Sequence, residues 1–377
     1  MKVVQAKKTK NGRWEYLSEN KSLKNPLVLV FGGRFELENK EVIDNVRKEF
    51  PYKNLVFGST SGEIIGEHVL DTSIVVTAIE FEKSLYVVKT ANIFDFNKNA
   101  KNLGESLIKE LPKEHLKHVF VLSEGSFVNG SALIEGIESS FYDKISLTGG
   151  MCGDGARFEK TLASYKDNPK EGEVIIIGFY GDALEISFAS FGGWRPFGPE
   201  RIITKSEGNI LFEIDDLPAL DLYSKYLGDK ASELPQASLL FPLNVTPKGK
   251  SKPVVRTILS INKENNSMIL AGDVPEGSKV QLMMASVDAI ADGAYEAAKL
   301  AMEKRVNKPQ LALLVSCIGR KLVMDQRAEE EIEEVINVIG KQTSLTGFYS
   351  YGEMAPFYGE TACELHNQTM TLTLISE

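Results

Sequence analysis

One arrangement of residues occurs three times along the chain and limits what the chain can fold into. Each copy begins with an apolar run ending in glycine, passes through a segment of helical spacing, and closes with a second short apolar run that enters a glycine-rich turn. The first copy is LVLVFGG at 27–33, a helix over 41–50 and NLVFGSTSGE at 54–63. The second is HVFVLSEG at 118–125, a helix over 131–142 and ISLTGGMCGDG at 145–155. The third is LALLVSCIG at 311–319, a helix over 328–339 and TSLTGFYSYGE at 343–353. The interval between the paired glycines is similar throughout: Gly33 to Gly58, Gly125 to Gly149, Gly319 to Gly347.

Val42, Ile43 and Val46 put one apolar stripe on the first connecting segment, and Leu133, Ile134 and Ile137 repeat the spacing in the second. Ile332, Val335, Ile336 and Ile339 do so in the third. Such a stripe packs a helix on a sheet. Strand, helix and strand of this length predict a right-handed βαβ crossover with parallel strands. Alternating β-branched stretches follow each turn. Those at 73–93 and 173–191 predict hairpins turning at 82–84 and 181–183, and 254–273 predicts another turning at 263–266. A helix is expected over 287–304, with a small-residue face. The fold class expected is α/β: mixed sheets built from repeated βαβ units, with antiparallel hairpins at the edges.

At 377 residues the chain exceeds one ordinary core, so two domains are expected. Prolines 196, 199, 218, 235, 242, 247 and 253 discourage long regular elements there. The expected division is an N-terminal arm at 1–24, a first domain at 25–220 and a second at 221–377. The arm carries Lys2, Lys7, Lys8, Lys10 and Arg13 and reads as solvated. The net charge of −9 lacks the cationic footprint of a nucleic-acid binder. No apolar run approaches the roughly 20 residues that cross a bilayer. The start of the chain lacks the apolar region of a signal peptide. Cys152, Cys317 and Cys363, odd in number and far apart, point to reduced thiols and a cytoplasmic location. Any signal would then pass by docking to another protein.

In open α/β sheets ligands sit outside the carboxyl ends of the strands, and glycine lets main-chain amides approach them. The three turns therefore supply the candidate ligand-binding residues: Gly58, Ser59, Thr60 and Ser61; Gly149, Gly150 and Cys152; Gly347, Tyr349, Tyr351, Gly352 and Glu353. Arg320, at the end of LLVSCIG, is the candidate partner for a ligand carboxylate, with a salt bridge to a nearby acid as the alternative. The acidic run at 328–334 reads as a solvated helix face. His115 and His118 read as surface residues.

Phosphate-loop and dinucleotide fingerprints are missing. GSTSG at 58–62 resembles a nucleophile elbow but has Thr60 at its centre, so a hydrolase using Thr60 or Ser61, with His68 and Asp71 as triad partners, is a minority reading. Cys363 and His366 stand three residues apart with no C-x-x-C pair to complete a zinc site, so no metal site is expected.

FGSTSGEI at 57–64 and SLTGGMCGDG at 146–155, with LLVSCIGR at 313–320, TGFYSYGEMAP at 346–356 and CELHNQTMTLTLI at 363–375, resemble the FIST family, N and C domains in tandem, from about Leu27 onward. The resemblance implies a sensory module of signal transduction that recognises small ligands, with amino acids proposed, and that performs no chemistry of its own. It implies an output partner such as a histidine kinase or a cyclase, since no output domain is attached. One branch of the family binds haem and responds to nitric oxide; the candidate axial ligand that this implies here is His366, with a cysteine as the alternative. No cofactor is otherwise expected. A docking role without a ligand is a further alternative.

Overall fold

The computed structural model describes residues 1–10, 12–140 and 145–377. Each predicted unit forms its parallel pair: Leu27–Gly32 beside Asn54–Ser59, Leu116–Ser123 beside Ser146–Met151, and Leu311–Cys317 beside Ser344–Ser350. The connecting helices are Lys40–Glu49, Gly130–Glu138 and Ala328–Ile339. The last two residues of the helix expected over 131–142 lie outside the described residues. Asn39 and Asn129 start the first two helices, each accepting from a main-chain amide of the first turn. The helix expected at 287–304 is Val287–Met302, capped by Ser286.

Around each parallel pair grows one sheet. The first runs in the order Ala163–Tyr165, Asn54–Ser59, Leu27–Gly32, Ser73–Glu80, Lys2–Thr9, Glu15–Tyr16. The second runs Cys363–His366, Gly352–Pro356, Ser146–Met151, Leu116–Ser123, Glu173–Tyr180, Leu85–Asn92. The third runs Glu185–Phe191, Met370–Ser376, Leu311–Cys317, Ser344–Ser350, Glu63–Ile65, His68–Leu70. Alternate side chains along each strand point to opposite faces. Leu29, Phe31, Phe120, Ile175, Leu313 and Phe348, drawn from all three sheets, share one interior cluster. Val28 and Val30 turn outward onto Ile43 and Val46 of the covering helix. The sheets are thus the sides of a prism with helices on its outer faces. A fourth, wholly antiparallel sheet between residues 195 and 284 packs on Ala219–Leu227 with its own core.

The strands are traded in a ring. The strand after the first turn, Glu63–Ile65, pairs with the third unit's Ser344–Ser350. The strand after the second turn, Ala163–Tyr165, pairs with the first unit's Asn54–Ser59. The strand after the third turn, Gly352–Pro356, pairs with the second unit's Ser146–Met151. The second and third sheets therefore contain strands from both sides of residue 220.

Several expectations are corrected. The stretches 73–93 and 173–191 are not hairpins: Ser73–Glu80 and Leu85–Asn92 lie in different sheets, as do Glu173–Tyr180 and Glu185–Phe191. Ser73–Glu80 has both edges filled, by Leu27–Gly32 and Lys2–Thr9, and Glu173–Tyr180 by Leu116–Ser123 and Leu85–Asn92. Neither leaves an edge for its sequence neighbour. The hairpin expected at 254–273 does form, Ile258–Asn262 with Ser267–Leu270. The N-terminal residues are no solvated arm; Lys2–Thr9 pairs along its whole length with Ser73–Glu80 and buries Val4 and Ala6. Pro196 and Pro199 sit inside the 13-residue strand Arg195–Glu207; Pro196 pairs with Met283, and Pro199 falls where the register with Lys279–Met284 shifts between Phe197 and Arg201. Among the described residues no helix is long and apolar enough to cross a membrane.

Candidate functional site

The strand exchange draws the three glycine turns to one end of the prism. Ser61 N donates to Tyr349 O (2.8 Å), Gly153 N to Ser59 O (2.9 Å) and Tyr351 N to Met151 O (3.2 Å). These are equivalent positions of the three units, so the main chain closes a ring of hydrogen bonds. Room for it depends on Gly153, where a Cβ would lie 2.2 Å from Ser61 Oγ and 2.8 Å from Ser61 N.

Beneath the ring, two turns repeat one side-chain arrangement. Thr60 Oγ1 donates to Glu63 Oε1 (2.6 Å), and Ser73 donates to Oε2 through Oγ (2.6 Å) and N (3.2 Å). Ser350 Oγ donates to Glu353 Oε1 (2.5 Å), and Thr369 to Oε2 through Oγ1 (3.0 Å) and N (3.3 Å). Both carboxyls are buried, and desolvation outweighs these hydrogen bonds, pushing Glu63 up to about 7 and Glu353 up to about 8. The second turn has Cys152 at the corresponding place, its thiol pushed up by burial.

Most of the expected ligand residues are therefore internal. Gly58, Ser59, Thr60, Ser61, Gly149, Gly150, Cys152, Gly347, Tyr349, Gly352 and Glu353 are all buried. Tyr351 is half-buried and lines a hollow. Arg320 is fully buried: Nε and Nη2 bind Glu331 Oε2 (2.9 and 2.8 Å), Nη1 binds Gly192 O (2.5 Å) and Nη2 Ile290 O (2.8 Å). Its guanidinium is occupied by an internal acid, the alternative weighed for it, rather than held out to a ligand carboxylate. Glu331 also accepts from Ser316 Oγ (3.0 Å) and Tyr349 Oη (2.6 Å). The acidic run is accordingly not wholly a solvated face: Glu331 turns inward.

The elbow-like turn assembles no triad. Ser61 Oγ donates to Gly155 O (3.1 Å). His68 faces Glu329 (3.6 Å) and Asp71 binds Lys321, both on third-unit helices. His118 is buried, against expectation, with Nδ1 at Ser146 Oγ (2.7 Å) and Nε2 at Thr148 Oγ1 (2.8 Å); burial pulls it down to about 3. His366 Nε2 donates to Ala355 O (2.9 Å), and burial pulls it down to about 4. Among the described residues no three acidic, histidine or cysteine side chains are grouped to hold a metal ion.

At two of the three unit junctions a cation from the short helix after the first parallel strand, Arg34–Glu38 or Ile318–Met324, enters the neighbouring turn. Arg34 Nη1 reaches Asp154 Oδ2 (3.0 Å), and Lys321 Nζ reaches Ser61 O (3.0 Å). At the third, residues 125–130 bring no cation to Tyr351. A hollow of about 490 Å³ opens there, lined by Asn129, Met151, Phe158, Tyr351, Gly272 and Leu365. Its size suits a small ligand. Phe158 stacks on Tyr351 with ring centroids 4.5 Å apart, and Tyr351 Oη accepts from Phe158 N (3.0 Å) and donates to Gly155 O (3.1 Å). Phe158 and Leu259 also line a second, more apolar hollow of about 650 Å³. Sequence reasoning reached Tyr351 but not Phe158, Asn129 or Gly272. Of these, Asn129 alone lies in a stretch the sequence marks, SEGSFVNG at 123–130 after the second unit's first strand.

The FIST N domain model matches residues 26–217 and the FIST C domain model residues 219–356. An uncharacterized protein of Methanocaldococcus jannaschii is 21% identical, over 83% of this chain and 66% of its own length, so the chain spans just under two thirds of that relative. A crystal structure of a chorismatase aligns over 100% of this chain and 98% of its own at 7% identity, with a TM-score of 0.33.

Proposed function

Because the chain belongs to the FIST family, whose paired domains are sensory ligand-binding modules of signal transduction, we propose that it binds a small molecule in the hollow beside Tyr351 and relays its presence to a separate protein partner. In this reading it works in the cytoplasm and performs no chemistry itself. The supporting observation is the one junction of three that the chain leaves open. Where Arg34 and Lys321 fill the other two, the third has a hollow walled by both the prism and the fourth sheet. A guest there touches the Tyr351 turn, the Phe158 loop and Gly272 together, so it can favour one arrangement of the fourth sheet against the prism, provided it binds that arrangement more tightly.

The test is thermal unfolding of the whole chain against a panel of amino acids and other small metabolites, with Ala271→Trp as the variant that fills the hollow. A ligand at one hundred times its Kd should stabilise the native chain by about 2.7 kcal/mol and leave Ala271→Trp unmoved. No response across the panel, or an equal response in the variant, overturns the proposal.

A further inference from the structure

The apolar hollow of about 650 Å³ adjoins the one beside Tyr351, and the two share Phe158 and Leu259 as wall residues. Its walls come from both sides of the molecule. Leu322 and Val323 belong to helix Ile318–Met324 on the prism, and Leu239 and Leu240 to the short helix Gln236–Leu240 beside the fourth sheet. Leu239, Leu240 and Val323 are only half-buried and Leu322 is 39% exposed, so the chain leaves this apolar surface partly uncovered. Of the two charged residues on these walls, Arg157 is held by Asp154 (2.8 and 2.6 Å) and Glu233 is exposed.

The hollow beside Tyr351 differs in character. Ser126 and Asn129 line it from the prism, and Asn209 from the fourth sheet. Its one charged wall residue among those described, Glu159, already meets Arg34 (3.2 Å). That wall offers hydrogen bonds rather than a free ionic partner.

Both shared residues stand at breaks in regular backbone. Phe158 has a φ of 55°, in the left-handed region that is costly for a bulky aromatic residue. Leu259 lies where strand Ile258–Asn262 slips against Ser267–Leu270: Ile258 pairs with Leu270 and Ser260 with Ile269, leaving Leu259 as the extra residue. A bulge of this kind re-aims a side chain. Ile258, Leu259 and Ser260 accordingly all line the apolar hollow, where a regular strand would send successive side chains to opposite faces. Backbone strain and bulges gather at binding sites. Here two of them, from distant stretches of chain, set an apolar side chain at the same boundary.

Resting on the reading that the hollow beside Tyr351 is the ligand site, we infer that the two hollows form one bipartite site for an amphipathic small molecule. Its uncharged, hydrogen-bonding head lies beside Tyr351, and its alkyl or acyl chain runs between Phe158 and Leu259 onto Leu240 and Leu322.

The experiment is calorimetric titration of the whole chain with two homologous series, 1-O-alkylglycerols and straight-chain primary amides, with chains of two to eight carbons. Affinity should rise about fourfold for each methylene that reaches the apolar hollow, the equivalent of about 0.8 kcal/mol. Leu322→Asp, which puts a charge on an exposed part of the apolar wall, should flatten that rise. Ala271→Trp, which fills the hollow beside Tyr351, should weaken the longest chains about tenfold by excluding the head. Affinity independent of chain length in both series overturns the inference and leaves the first hollow as a site for compact molecules. A rise undiminished in Leu322→Asp places the chain elsewhere and also overturns it. Long chains unaffected by Ala271→Trp would make the apolar hollow a separate site, against the bipartite reading. If neither series binds at any length the inference falls, and the metabolite panel with Ala271→Trp decides separately whether the first hollow takes a ligand. The chain-length comparison in the native protein decides the matter even where a variant does not fold.

Discussion

Ser61 gives its main-chain amide to the carbonyl of Tyr349, joining the first and third units through one of three equivalent hydrogen bonds. That bond has a near neighbour in Gly153, from the second unit, whose missing side chain leaves it space. Gly153→Ala is expected to destabilise the chain by about 1–3 kcal/mol, the cost of overpacking a tight interior. Adding Ser61→Ala should not restore it, because Ser61 N lies at 2.8 Å from the new methyl as well as the hydroxyl at 2.2 Å. Denaturant unfolding of the single and double variants checks this; full recovery in the double variant would place the conflict at the side chain alone.

The pair formed by Arg320 and Glu331 is sealed from water, so breaking it from one side strands a charge. Arg320→Met should cost about 3–5 kcal/mol, whereas Arg320→Met combined with Glu331→Met should cost less than the sum of the two single changes. A double-mutant cycle by urea unfolding measures the coupling. Additive losses would show that the two side chains do not stabilise the fold as a pair.

The buried carboxyls give the protein a characteristic pH response. Glu63 and Glu353 have folded values raised from 4.5 to about 7 and about 8. Their contribution is complete below 4.5 and is lost as pH rises through the raised values. His118 and His366 are lowered from 6.5 to about 3 and about 4, so their contribution is complete above 6.5 and is lost on acidification. Between 4.5 and 6.5 the two trends oppose. Above 6.5, among these four groups, only the carboxyls still change, and stability should fall from pH 6.5 to 8. Glu353→Gln, which keeps the shape without the titration, should make that fall shallower. Melting temperatures across the range test it, and an unchanged slope would remove Glu353 as a source.

Tyr351 holds the Phe158 loop by accepting its amide hydrogen. Tyr351→Phe keeps the ring stack but loses that acceptor, so a cost of about 1 kcal/mol is expected. Hydrogen exchange at the Phe158 amide should quicken, while amides of the strand Ser146–Met151 should keep their protection. Equal exchange at Phe158 in both chains would show that the stack alone fixes the loop.

How much of this was legible in the sequence depends on whether the cause was local. The three βαβ units, their helices and the glycine turns were readable, because apolar spacing and turn chemistry act within a few residues. The destination of Glu63–Ile65 or Gly352–Pro356 was not, because short strands carry no mark of the unit whose edge they complete. The same limit hid His118: a polar residue on a strand reads as exposed until the adjacent strand of its own sheet supplies Ser146 and Thr148. Arg320 offered either a ligand contact or an internal salt bridge, and only the helix that brings Glu331 decides between them. Tyr351 was found as part of a turn, but the residues facing it at 129, 158 and 272 come from three separate stretches.

Trading strands around a ring changes what counts as a finished piece of this molecule. While residues 352–376 are still to be synthesised, the sheet built on Ser146–Met151 lacks its neighbour on one side, and Glu63–Ile65 waits for Ser344–Ser350 to exist. Early portions of the chain must therefore spend the interval with unsatisfied sheet borders, the condition that invites pairing with the wrong molecule. Completion is collective: the last strands to arrive close gaps left open from the beginning.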